Sequence, residues 1–141
     1  MDFRASQNPV TILLALVWLL LYPVPSEALE PGEVLVIEPG EKSKTLDVAG
    51  DLCRRMLEAG ADRSSFILGF GGGVVCDIAG LTASLFMRGV RHAFVSTSLL
   101  SQVDASIGGK TGVNLGEYKN MIGTFRQPEF VLCDHSMLAT L

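Results

Sequence analysis

Between Gln102 and Gly123 the chain sets one carboxylate, Asp104, two lysines, Lys110 and Lys119, and an amide, Asn120, among glycines and small residues. A packed core has no use for that mixture. A site that holds an anionic, hydroxylated small molecule close to the backbone does. The lysines are isolated and do not form a run, which suits point contacts to a phosphate or a carboxylate better than a groove for a polyanion.

Two further strings invite the same reading. Gly71-Gly72-Gly73 follows the apolar run Phe66–Phe70 and precedes Val74–Met87, so three glycines stand between an expected strand and an expected helix. There the backbone can approach a ligand closely, and the N–H groups of a helix start can face a phosphate. The dinucleotide fingerprint G-x-G-x-x-G counted from Gly69 fails at Val74, and a Walker loop ending in Gly109-Lys110-Thr111 fails at Asp104. Asp77, one turn into the helix, reads either as an ordinary first-turn acid or as an acceptor for a sugar hydroxyl. Gly40-Glu41-Lys42-Ser43-Lys44 reads as a helix entry, with Glu41 and Lys44 on one side of a first turn.

The elements that must position these residues follow from hydrophobic patterning. Val34–Ile37, Phe66–Phe70, His92–Val95 and Phe130–Cys133 are short apolar runs and predict strands. Leu46–Ala59, with Leu46, Ala49, Cys53, Met56 and Leu57 at helical spacing and Gly60 as a stop, predicts a helix, and Val74–Met87 a second. Strands alternating with helices predict an α/β domain built on a parallel sheet, with ligands beyond the carboxyl ends of the strands. Before it, the uncharged run Val10–Tyr22 is short for a membrane span. It reads as a signal-type segment with Ser26-Glu27-Ala28 as a cleavage site, as a buried helix, or as sequence foreign to the fold. The expected division is therefore an apolar segment over 1–33 and a domain over 34–141.

Composition excludes several functions. With 48% hydrophobic and 18% charged residues the 141-residue chain can bury a core. A net charge of −4 gives no basic field for nucleic acid. Cys53, Cys76 and Cys133 are widely spaced, and with His92 and His135 they form no metal-binding spacing.

In order along the chain stand Pro39-Gly40-Glu41-x-x-Lys44, Gly71-Gly72-Gly73-Val74-Val75-x-Asp77-x-Ala79-Gly80, Arg88-Gly89, and Ser96-Thr97-Ser98-Leu99-Leu100-Ser101-Gln102-Val103-Asp104. Gly108-Gly109-Lys110-Thr111-Gly112-Val113-Asn114, Lys119-Asn120-Met121-Ile122-Gly123, Phe125-x-Gln127-Pro128, Val131-Leu132-Cys133-Asp134 and Leu138-x-Thr140-Leu141 complete the series. Over residues 38–141 this resembles the nucleotide-binding domain of the 3-dehydroquinate synthase family, which implies a Rossmann-like domain of a homodimeric, cytoplasmic lyase of the shikimate pathway. The resemblance implies NAD and a divalent metal, zinc or cobalt, as cofactors, and 3-deoxy-arabino-heptulosonate 7-phosphate as substrate. It implies that Glu41 and Lys44 contact the adenosine part of NAD. Gly71, Gly72, Gly73 and Asp77 would hold its pyrophosphate and nicotinamide ribose, with Thr97 and Ser98 alongside and Thr140 closing the site. Asp104, Lys110, Lys119 and Asn120 would grip the substrate, and Arg88 would reach the phosphate in a partner subunit.

Two departures accompany the resemblance. The family's metal ligands lie beyond the equivalent of Leu141, and its first βα unit is not recognisable before Val34. This chain alone is therefore expected not to turn over substrate, and to leave apolar surface uncovered. Ser98 stands where the family often has threonine. Another sugar-phosphate cyclase and a non-catalytic NAD-binding module are the alternative readings.

Overall fold

A computed structural model describes residues 11–16 and 33–140. The strands are β1 (Thr11–Leu16), β2 (Glu33–Ile37), β3 (Phe66–Gly71), β4 (Arg91–Ser96), β5 (Lys110–Leu115), β6 (Tyr118–Phe125) and β7 (Val131–Cys133). The helices are α1 (Leu46–Glu58) and α2 (Gly73–Leu85). Five strands form one sheet in the order β2-β1-β3-β4-β7, with every pairing parallel, and β5 and β6 form a separate antiparallel hairpin. The strand order reverses between β1 and β3. In a sheet of this kind the crevice beyond the carboxyl ends of those two strands is the ligand site, and the glycine turn after β3 lies there.

The apolar run near the amino end corrects one expectation. Thr11–Leu16 is a strand, not part of a buried helix, and it lies between β2 and β3, pairing Leu14 with both Leu35 and Gly69. A continuous apolar run carries no periodicity that separates helix from a strand covered on both faces. The segment before residue 33 thus contributes a strand to the same sheet as β2. Ser26-Glu27-Ala28 lies outside the described residues. Among the described residues no helix is long and apolar enough to cross a membrane.

Thr45 caps α1, its hydroxyl accepting from the Val48 N–H at 3.2 Å. Ala49, Leu52 and Met56 face inward, whereas Leu46 and Leu57, expected inside, are exposed. The outer face is polar, and Arg54 joins Asp51 and Glu58 one turn to either side. Helix α2 is buried along most of its length, from Val75 to Ala83. It packs between the sheet, α1 and β5, in one core with Leu35, Ile37, Leu52, Met56, Ile67, Phe94 and Val113. A smaller cluster of Leu68, Phe70 and Ala93 packs with Phe66, Val95 and Met137. Helix α2 stops at Leu85, two residues before the expected end, because Met87 and Arg88 take left-handed backbone (φ 47° and 71°) in the turn leading to β4.

The hairpin was not foreseen, since its glycines and polar residues lack the alternation of an ordinary strand. It lies against α2 at Gly80, where an added Cβ would overlap Thr111 Cγ2 and come within 3.3 Å of Phe94 Cζ. A chain of hydroxyls secures it. Thr124 Oγ1 donates to Ser84 Oγ at 2.9 Å, Ser84 Oγ donates to the Gly80 carbonyl at 2.8 Å, and Thr111 Oγ1 lies 2.8 Å from Thr124 Oγ1.

His92 is 1% exposed, with its ring edge-on to Phe94 at 5.2 Å and no hydrogen-bond partner for Nε2 among the described residues. Burial, helped by the Arg126 charge, pushes its pKa down to about 4. It is a core histidine. Cys76 is buried, its thiol pushed up to about 12, while Cys53 is half-buried and Cys133 exposed.

Candidate functional site

Beyond the carboxyl end of β3 the chain turns through Gly71–Gly73 into α2. The N-cap, Gly72, offers no side-chain cap, and the first turn holds no acidic residue. The N–H groups of a first helical turn have no partner within the helix, so this end is open to an anion. An added Cβ at Gly72 would stand 3.2 Å from Ser98 Oγ, in the narrow space between the turn and the start of the next loop. Thr97 N–H donates to the Gly71 carbonyl at 3.0 Å, which fastens the loop after β4 to the turn. Ser98 and Ser101 hold each other through four hydrogen bonds, so the walls of the cradle are fixed.

The second part of the site is a charged junction among three elements. The short 3-10 turn Glu41–Ser43 leads to Lys44, whose side chain is 6% exposed. Its ammonium is 2.5 Å from Asp77 Oδ2 on α2 and donates to Asn120 Oδ1 on β6 at 2.5 Å. A buried ammonium needs such partners, because desolvation of an unpaired charge costs several kcal/mol, of the order of the ~3–5 kcal/mol seen when one partner of a buried pair is removed. Burial raises the Asp77 carboxyl above its ordinary 3.8, the Lys44 ammonium opposes the rise, and the Glu41 and Asp104 carboxylates add to it.

Asn120 has left-handed backbone at φ 56°, a conformation that asparagine tolerates better than most residues. Its N–H donates to Asn114 Oδ1 at 2.9 Å, and Asn114 Nδ2 donates to Glu41 Oε1 at 3.0 Å. Asn114 lies at the irregularity in the β5–β6 register, between Val113 and Leu115, and its own N–H donates to the Lys44 carbonyl at 2.8 Å. Sequence reasoning gave Asn114 no role. Its place in the Gly112-Val113-Asn114 string was visible, but the hairpin that brings it to Glu41 was not.

The remaining expected residues fall in three groups. Asp104 lies exposed in the π-helical turn Ser101–Ala105, which Gln102 ties down by donating to the Ser96 and Asp134 carbonyls at 3.0 and 3.2 Å. Lys110 and Lys119 are both exposed, Lys110 at the outer end of β5 and Lys119 beside Asn120 near the turn. Lys119 lies across from the region of Asn114, so some four strand residues, roughly 13 Å, separate the two lysines along the hairpin. Arg88 sits beyond the opposite end of α2 from Gly72, roughly 20 Å away by helical rise. The chain therefore does not bring Arg88 to its own cradle. Thr140 closes the 3-10 turn His135–Thr140 that follows β7.

The glycine turn, the uncapped helix start and the nearby Asp77 carboxylate suit a dinucleotide. Through Lys44 they meet Asn120, one of the residues expected to hold a substrate. A metal has no such support: among the described residues no group of three His, Cys, Asp or Glu side chains comes together.

Comparison with known proteins agrees with this geometry. Residues 34–141 match the family model of the 3-dehydroquinate synthase N-terminal part. A 3-dehydroquinate synthase of Alkaliphilus metalliredigens (strain QYMF) is 52% identical over 109 residues, 77% of this chain and 31% of that protein. The solved 2-epi-5-epi-valiolone synthase of Streptomyces hygroscopicus subsp. jinggangensis 5008, with NAD+ and Zn2+ bound, superposes with a TM-score of 0.81 at 31% identity, over 94% of this chain and 39% of that one. A 2-deoxy-scyllo-inosose synthase complexed with carbaglucose-6-phosphate, NAD+ and Co2+ gives 0.76 at 28% identity, over 92% and 37%. The chain spans about a third of the length of the curated relatives it matches. From the motif order, the parallel fold and the match over residues 34–141, the chain belongs to the 3-dehydroquinate synthase family.

Proposed function

We propose that this chain supplies the nucleotide-binding part, and much of the substrate grip, of a 3-dehydroquinate synthase that converts 3-deoxy-arabino-heptulosonate 7-phosphate to 3-dehydroquinate and phosphate. The observation that carries the reading is the Lys44 junction, where one buried ammonium joins Asp77 on the nucleotide side to Asn120 on the substrate side. When bound, NAD would supply reversible hydride transfer at a substrate carbinol.

The residues divide the remaining work. The start of α2 receives the pyrophosphate, and the Asp77 oxygen not held by Lys44 accepts from a ribose hydroxyl. Asn120 Oδ1 is engaged by Lys44, which leaves its Nδ2 to donate to a substrate oxygen. Lys110 and Lys119 offer two point charges for the anionic groups of the substrate, a carboxylate and a phosphate. A fixed ammonium at the phosphate end stabilises the charge that develops as the C–O bond breaks and the phosphate leaves with the electron pair. Glu41 and Thr140 complete the nucleotide side, with Thr97 and Ser98 lining its cradle. Asp104 faces the substrate from the π-helical turn. Arg88, exposed at the far end of α2, is free to serve a second copy in a homodimer. The divalent metal of the complete enzyme would be held by residues other than those described.

Calorimetric titration of the chain with NAD tests the reading. Micromolar binding that Asp77→Ala weakens at least tenfold supports it, and no binding by the native chain overturns it. The cyclase neighbours favour a second reading, a relative acting on another sugar phosphate. Competition among sugar phosphates for the NAD-bound chain separates the two, and preference for the deoxyheptulosonate phosphate favours the first.

A further inference from the structure

Asn114 belongs to neither group of ligand-holding residues, yet it makes a specific contact to each. Its carboxamide donates to the Glu41 carboxylate at 3.0 Å and accepts from the Asn120 N–H at 2.9 Å. Its backbone N–H holds the Lys44 carbonyl at 2.8 Å. An amide is the one small side chain that offers a donor and an acceptor on the same rigid plane. Here the donor meets an acid and the acceptor meets the N–H of a residue in left-handed conformation. A carboxylate at position 114 would keep the second contact and turn the first into a repulsion.

We infer that Asn114 is a positioning residue that sets the Glu41 carboxylate for the nucleotide, while the same amide fixes the backbone of Asn120 for the substrate. The inference deepens the functional reading above and rests on it. The residue touches neither ligand and acts through the two that do. It holds Glu41 at the hairpin, 73 residues away in sequence, through a hydrogen bond that needs a donor at position 114.

The test is a donor–acceptor swap read by NAD calorimetry. Asn114→Asp places two carboxylates in contact, and such a pair shares a proton. Against the native chain, Asn114→Asp is expected to bind NAD about tenfold more weakly near pH 8, with the deficit shrinking to under threefold near pH 5.5. In the Glu41→Gln background the polarity reverses, since the amide introduced at position 41 can donate to the carboxylate introduced at position 114. There the same Asn114→Asp change is expected to cost less than twofold at either pH. The other charged groups on the packed elements are Lys42 and Lys44 of the entry turn, Asp77 of α2, Asp104 of the π-helical turn, and Lys110, Glu117 and Lys119 of the hairpin. They are unchanged in both backgrounds, so their titration cancels in the comparison. A generic structural role would make Asn114→Asp equally costly in both backgrounds and at both pH values, and that result overturns the inference while leaving NAD binding intact. No NAD binding by the native chain overturns the functional reading, and this inference with it. Circular dichroism guards against misfolding. If Asn114→Asp alone fails to fold, folding of the Glu41→Gln/Asn114→Asp chain supports the pairing. Unfolding of both overturns it, because the swap keeps every hydrogen bond.

Discussion

Replacing Gly80 with alanine sets two opposing effects against each other. In a helix interior alanine is favoured over glycine by about 1 kcal/mol, so an exposed site would be stabilised. At Gly80 the new methyl would overlap Thr111 Cγ2 and stand 3.3 Å from both Thr111 Cβ and Phe94 Cζ. Forcing a methyl into a packed interface typically costs about 1–3 kcal/mol, so Gly80→Ala is expected to destabilise the chain by roughly 1–2 kcal/mol after the helical gain at a steric cost near the top of that range. Thr111→Ser removes the obstructing methyl but keeps the hydroxyl that meets Thr124, and alone it should cost about 1 kcal/mol for the lost buried methyl. In the double variant the alanine methyl fills the space that the threonine methyl leaves. Urea denaturation of the four chains is therefore expected to show the pair at least ~1.5 kcal/mol less destabilised than the sum of the singles. Additivity within about 0.5 kcal/mol, or stabilisation by Gly80→Ala alone, would refute close packing of hairpin on helix.

Other consequences can be measured separately. Because the folded-state pKa of His92 lies near 4, below its ordinary 6.5, the unfolded chain binds more protons between those values. Stability is then fully present above pH 6.5 and falls as pH drops toward 4, by up to about 3 kcal/mol at ~1.4 kcal/mol per pKa unit. His92→Leu should flatten that limb, and an unchanged pH profile in denaturant titrations would count against it. Asp77 carries the opposite sign: with its pKa raised above 3.8, it costs stability as pH rises through its folded pKa. Lys44→Met should push that titration still higher in carboxyl NMR, and a downward move would contradict the burial argument. At Gly72, φ is −82°, a value any residue adopts, so Gly72→Ala should cut NAD affinity about tenfold by filling the cradle beside Ser98 while moving the unfolding midpoint little. Equal loss of both would show that the cradle is not the nucleotide site.

Much of the sheet was legible because its strands are short apolar runs punctuated by glycine and proline. The glycine turn was legible for the same reason, since its three glycines separate an apolar run from a helical one. Val10–Tyr22 misled because uniform hydrophobicity hides its period, and only pairing with β2 and β3 shows that Thr11–Leu16 is a strand. The hairpin was hidden by its own composition. Its stability comes from Thr111, Thr124 and Ser84 hydroxyls and from contact with α2, none of which leaves a local pattern. Without the hairpin, Lys44 reads as one more charge at a helix entry, and Asn114 as a loop amide. Their roles depend on contacts between residues more than 70 positions apart.

Helix α2 acts as a length standard for the two halves of the site. Its start presents the cradle and, one turn on, Asp77, while Gly80, three residues later, seats the hairpin that bears Asn114 and Asn120. Each residue of an α-helix advances roughly 1.5 Å and rotates the next side chain by about 100°. A single insertion or deletion between Asp77 and Gly80 would therefore swing the hairpin seat to another face of the helix, while leaving every ligand-holding side chain present. Changes of length beyond Leu85, in the left-handed turn before β4, carry no such penalty for the register of the site. Length variation in relatives that keep the same chemistry should accordingly collect after that helix and be excluded from its first two turns.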